Sequence, residues 1–192
     1  MLLTRKSFFI REQVGLLKLS DTYDILDPET QQKIGFAKER PGAFIHLLRL
    51  LIHKRMLPTR VDIHEEENQP PVLSIKRGIT LLRSKVKVID GEGTELGYFK
   101  SKVFSFGGGF RVYDPEDRQL AEIKGDWKGW NFRFLDRNGR ELGLVTKKWA
   151  GFGKELFTSA DNYALVLNEK HTGNAALLLA AALAIDTIYK ER

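Results

Sequence analysis

The stretch Thr172-Gly173-Asn174-Ala175-Ala176-Leu177-Leu178-Leu179-Ala180-Ala181-Ala182-Leu183-Ala184-Ile185 runs 14 residues without a charge, and Asp186 then interrupts it. Alanine and leucine are strong helix formers, so the spacing predicts a helix over 174–189. Apolar residues occupy nearly every side of it, which requires enclosure by protein or by lipid. A membrane span needs about 20 apolar residues, whereas a run of about 10–14 is the length of a buried core helix. The buried reading is therefore the expectation. Six alanines (175, 176, 180, 181, 182 and 184) make the helix thin, suited to a narrow enclosure.

The rest of the chain supplies material for that enclosure. One pattern recurs: an alternating apolar run, an Asp, a polar turn, Leu or Ile, usually Gly, and then a Lys. It runs from Tyr23-Asp24-Ile25-Leu26-Asp27-Pro28 to Ile34-Gly35-Phe36-Ala37-Lys38, and again from Val86-Lys87-Val88-Ile89-Asp90-Gly91 to Leu96-Gly97-Tyr98-Phe99-Lys100. The third copy spans Phe110 to Lys124 and the fourth Phe132 to Lys147. Each reads as a β-hairpin, because period-two alternation puts one face inward and Asp-Pro, Asp-Gly and Asn-Gly favour turns. Two further hairpins fit the gaps, Arg60–His64 with Val72–Ile75, and Glu155–Thr158 with Tyr163–Leu167. Six hairpins make about twelve antiparallel strands, whose edges need closing. A mainly β fold follows: a closed barrel around the C-terminal helix, expected as a single domain over 1–192.

Composition bounds the chemistry. The chain has 192 residues, no cysteine and a net charge of +6, with 42% hydrophobic and 29% charged residues. Disulfides, thiolate metal sites and cysteine nucleophiles are excluded. The basic balance favours an anionic partner. Charges at Arg5, Lys6, Arg11 and Glu12 interrupt any secretory h-region, so no signal peptide and a cytoplasmic location are expected. None of the Gly-x-Ser-x-Gly, His-Glu-x-x-His or Gly-x-x-x-x-Gly-Lys-Ser/Thr motifs occurs, and a non-enzymatic role is expected.

The repeat, with the bridge Lys100-Ser101-Lys102-Val103-Phe104-Ser105-Phe106-Gly107, resembles the tubby-like superfamily in its phospholipid-scramblase and LURP-one-related branch. Thr146-Lys147-Lys148-Trp149, Ala160-Asp161-Asn162-Tyr163 and Ala184-Ile185-Asp186 carry the same likeness, over roughly Ser20 to Lys190. It implies a twelve-stranded barrel around a central hydrophobic helix. Scramblases are associated with calcium-dependent lipid movement and tubby proteins with phosphoinositide binding; many bacterial and plant relatives have no established activity. The scramblase acidic segment begins Asp-Ala-Asp-Asn-Phe and ends in another Asp. Here it reads Ser159-Ala160-Asp161-Asn162-Tyr163, with Lys170 where the last acid falls. Calcium takes 6–8 oxygen ligands, so Asp161 alone is a poor calcium candidate and no cofactor is expected.

Two segments depart from the strand rhythm. Residues 41–57, closed by Pro58, read as an inserted helix, with Phe44, Leu47, Leu48, Leu51 and Ile52 on one side and His46, Arg49, His53 and Lys54 largely opposite. A basic amphipathic helix can lie in a membrane interface; packing across the barrel mouth is the alternative. From Arg40 to Val61 there are five bases and no acid, and from Asn68 to Ile89 five more. Arg40, Arg49, Lys54, Arg55, Lys76 and Arg77 are therefore the candidate contacts to an anionic phospholipid surface. Trp127 and Trp130 read as a lid on the core. A soluble module with a protein partner is the competing class; no nucleic acid is expected, since no reader motif occurs.

Overall fold

The computed structural model describes residues 1–13, 20–42, 45, 57–78, 85–101, 109–126, 130–147, 162–168 and 175–189. A short 3-10 helix, Leu2–Thr4, precedes twelve strands. They are β1 (Ser7–Glu12), β2 (Thr22–Leu26), β3 (Lys33–Glu39), β4 (Thr59–His64), β5 (Leu73–Arg77), β6 (Lys85–Asp90), β7 (Glu95–Ser101), β8 (Gly109–Tyr113), β9 (Gln119–Asp126), β10 (Asn131–Leu135), β11 (Glu141–Thr146) and β12 (Asn162–Leu167). The C-terminal helix, α1, spans Ala175–Tyr189. Each strand pairs antiparallel with its sequence neighbour, and β1 pairs with β12 to close the barrel.

The closure differs from the expected pairing in one respect. β1 lies in an N-terminal segment where no strand was expected; it pairs with β2 on one side and β12 on the other. Glu155–Thr158, expected to pair with Tyr163–Leu167, lies outside the described residues, and the two edges of β12 are taken by β11 and β1. Phe8 and Ile10 are the inward residues of β1 and are fully buried. Flanking charges conceal this short alternation in the sequence.

The repeat has a common physical basis. In each copy the turn begins with an Asp whose carboxylate caps the turn. Asp27 accepts from the backbone N–H groups of Glu29 and Thr30. Asp90 accepts from those of Glu92 and Thr94. Asp114 accepts from Arg118, and Asp136 from Asn138 and Arg140. Four hairpins then shift register at corresponding positions, each bulge passing one apolar residue: Ile34, Leu96, Leu120 and Leu142. The next residue is Gly35, Gly97, Ala121 or Gly143. A Cβ on Gly97 would stand 2.3 Å from the Tyr113 carbonyl oxygen, and Gly97 has φ +152. Gly35 and Gly143 likewise face the carbonyls of His64 and Val166 at 2.7 and 2.8 Å. Bulges increase local twist, which a closing barrel requires.

α1 fills the interior. About eight strands close tightly enough for side chains alone to fill the middle; twelve leave a wider space. Ala180, Ala182, Leu179, Leu183 and Ile185 are 0% exposed. Around them stand Phe8, Tyr23, Phe99, Phe110, Phe132, Phe134 and Tyr163 from the inward faces. The gap between Ala181, Ala184, Phe99, Phe110 and Ile123 has no room for a water molecule. No described helix is long and apolar enough to cross a membrane.

The up-and-down order gives the barrel two unlike mouths. The capped hairpin turns lie at one; the connections β1–β2, β3–β4, β5–β6, β7–β8, β9–β10 and β11–β12 lie at the other. Toward this second mouth the buried Asp186 of α1 faces Tyr23 and Tyr163. Burial, followed by the Asp186 charge, holds both phenols well above their ordinary 10.0. Tyr98, whose hydroxyl donates to Asp117 at 2.6 Å, is pushed up to about 12, chiefly by burial.

Two predictions follow from this packing. Gly97→Ala should destabilise the fold by about 1–3 kcal/mol in urea unfolding, through backbone strain and the carbonyl clash. In a spectrophotometric pH titration, Tyr23, Tyr98 and Tyr163 of the five tyrosines should stay un-ionised past pH 10.0. Because the fold favours their neutral forms, their contribution to stability is present below the unfolded value and is lost as pH rises through the folded values, about 12 for Tyr98. A single phenolate transition near the ordinary value would contradict this.

Candidate functional site

The alternation Arg60-Val61-Asp62-Ile63 sends Val61 and Ile63 into the core and Arg60 and Asp62 to the outer wall. At the second mouth, the end of β3, the start of β4 and the end of β5 come together, because Glu39 is in register with Val61 and Thr59 with Arg77. They enclose an open cleft of about 230 Å³, lined among others by Arg40, Arg60, Lys76 and Arg77. Three of the sequence-predicted contacts, Arg40, Lys76 and Arg77, thus meet at one place. Arg49, Lys54 and Arg55 lie outside the described residues, as does Asp161. The helix expected over 41–57 also falls outside them, apart from Pro41, Gly42, Ile45 and Leu57.

The four bases are held differently. Asp62, 2% exposed, accepts from the Ser74 hydroxyl at 2.7 Å and from Arg60 Nε at 2.8 Å. Arg40 Nε lies 3.3 Å from its other oxygen. One buried carboxylate therefore orients two half-exposed guanidinium groups along the cleft. Arg77 points inward and is buried; its guanidinium donates to the Thr59 hydroxyl at 3.0 Å and to the Leu57 carbonyl at 3.3 Å. It ties β5 to the chain entering β4 and presents its charge from beneath. Lys76 is exposed beside them, with no carboxylate partner among the described residues. Four cations converge on the cleft, two of them oriented by Asp62, so the cleft suits a phosphate or another anionic headgroup.

Arg60, Asp62 and Ser74 are the site residues that sequence reasoning did not single out. Arg60 was visible as one of five bases in the acid-free run. The sequence carries no sign that Asp62 and Ser74 meet, because their pairing depends on the β4–β5 register.

Other sequence candidates resolve into packing. Trp130 lies edge-on to Phe132 at 5.7 Å and tilted on Tyr163 at 5.5 Å, with Lys147 Nζ 4.3 Å above its ring. It packs against the core as a lid; Trp127 lies outside the described residues. His64 stacks on Phe36 at 5.0 Å, and its Nδ1 lies 3.0 Å from the Gln69 carbonyl. Among the described residues, no group of three or more His, Cys, Asp or Glu side chains is placed to hold a metal ion.

Comparison with known proteins gives one match: the family model described as Scramblase covers residues 17–192. No curated protein and no solved structure matches the chain.

Removing the Asp62 charge tests how the cleft is organised. Asp62→Asn should cost about 1–3 kcal/mol in urea unfolding, the range for hydrogen bonds to a charged group, discounted because Arg40 and Arg60 are half exposed. Stability unchanged within error would mean that the carboxylate does not organise the two arginines.

Proposed function

The chain belongs to the scramblase family, and on that premise we propose that it is a non-enzymatic protein that binds the surface of anionic phospholipid membranes peripherally. The observation that carries this reading is the convergence of Arg40, Arg60, Lys76 and Arg77 on one open cleft. Guanidinium groups suit phosphate oxygens through paired N–H donors, and Asp62 aligns two of them beforehand. Among the described residues Met1 is the exposed large apolar one, so the described surface offers attraction to headgroups rather than insertion of side chains.

Surface binding fits the interior better than passage of lipid through it does. Apart from Arg77 and Asp186 near the second mouth, the inward faces described are largely apolar, α1 occupies the space they enclose, and the gap beside Ala181 and Ala184 is too narrow for water. A headgroup moving along the barrel axis past α1 would lose its hydration with little polar to replace it.

Sedimentation of the full chain with phosphatidylcholine vesicles, with and without phosphatidylserine, tests the reading. Binding should require the anionic lipid and weaken from low to high salt. Each base near the surface contributes about 1 kcal/mol, so Lys76→Glu should weaken binding by roughly 10-fold or more. Protein that stays in the supernatant at low salt with anionic vesicles would overturn the proposal and favour a soluble module with a protein partner.

A further inference from the structure

The register of the outer wall aligns like charges. Arg60 stands opposite Lys76, and Lys76 opposite Lys87. In the adjoining row Lys85 stands opposite Lys100, and Lys100 opposite Arg111. All six side chains are exposed. Like charges directly opposite one another destabilise a sheet, and this wall does so in four consecutive pairings over five strands.

Few acids relieve it. Asp62 meets Arg60, Glu95 meets Lys87 at 2.7 Å, and Glu122 stands opposite Arg111. Lys76, Lys85 and Lys100 face no carboxylate among the described residues. Lys85 and Lys100 lie instead over the stacked rings of Tyr98 and Tyr113: Lys85 Nζ is 3.8 Å from the Tyr98 centroid, and Lys100 Nζ is 4.9 and 5.2 Å from the two. Aromatic faces hold these ammonium groups without neutralising them.

The far side of the barrel differs. In a ring of twelve strands, β12 and β1 lie opposite β6 and β7. There the outward rows read Leu144–Val166–Ser7 and Thr146–Ala164–Phe9, of which Thr146, Ala164 and Phe9 are buried, and the outward Arg11 of β1 is paired with Asp24. Six exposed bases thus gather on the β4–β8 flank, which orients approach to an anionic surface.

We propose that the barrel docks on its side, with the β4–β8 wall against an anionic bilayer and the barrel axis along its surface. The wall is roughly 20 Å wide at the usual strand spacing, a broad patch over which several headgroups are met at once. Tyr98 is buried and Tyr113 half-buried beneath lysines, so among the described residues of the wall no aromatic face is open for nucleobases to stack upon, which favours a lipid surface over nucleic acid. This orientation rests on the membrane reading above and makes the cleft at Arg40 the edge of a larger contact.

The test compares two triple variants with equal charge loss, K85Q/K100Q/R111Q on the wall and K124Q/R137Q/R140Q outside it, using phosphatidylcholine–phosphatidylserine vesicles at low salt. At about 5-fold per base, the wall triple should lose roughly 100-fold in affinity, while the second triple stays within a few-fold of the parent chain. Equal losses in both, or an unchanged wall triple while the parent chain binds, would overturn side-on docking and leave the membrane reading standing. A parent chain that ignores the vesicles overturns both. Tighter salt-sensitive binding to a DNA duplex than to the vesicles would assign the wall to nucleic acid instead. Arg111→Gln alone should give about a 5-fold loss, and it serves as the test if the wall triple fails to fold.

Discussion

The mutual burial of α1 and the barrel interior is the constraint on which the rest depends. An alanine- and leucine-rich helix with no polar side cannot stay in water, and twelve strands cannot fill their own middle with side chains alone. Each supplies what the other lacks. Small alanines, Ala181 and Ala184 among them, leave room for inward rings such as Phe99 and Phe110 beside the helix. With the interior occupied in this way, function moves to the surface and to the mouths.

The two mouths show how local chemistry divides the labour. At one, Asp-capped turns and bulges set register and twist with few residues. At the other lie the longer connections, and there the barrel tolerates buried polar groups: Asp186 facing Tyr23 and Tyr163, Glu39, and Arg77 tied to Thr59. The basic cleft opens at this second mouth. A basic flank over β4–β8 then gives the barrel a direction, although each strand merely alternates inward and outward residues.

Much of the fold was legible because it rests on local signals. Alternation marked the hairpins, the repeated Asp marked their turns, and the repeated Gly marked places where a neighbouring carbonyl leaves no space for a Cβ. β1 was missed because its alternation is short and charges surround it. Part of the site was legible as well: Arg40, Lys76 and Arg77 belong to acid-free basic runs. Asp62 and Ser74 were not, since an acid and a serine twelve residues apart carry no mark of being partners until β4 and β5 pair.

By itself the sequence determined the class of fold, the buried helix, the turn chemistry and the basic balance, all properties of composition and short-range periodicity. Only the tertiary structure decided that β1 closes the ring, that one carboxylate holds two arginines, and that six bases from five strands stand in two adjoining rows. Those are matters of strand register. Register brings residues far apart in the chain to within a few ångströms, and no local pattern encodes which will meet.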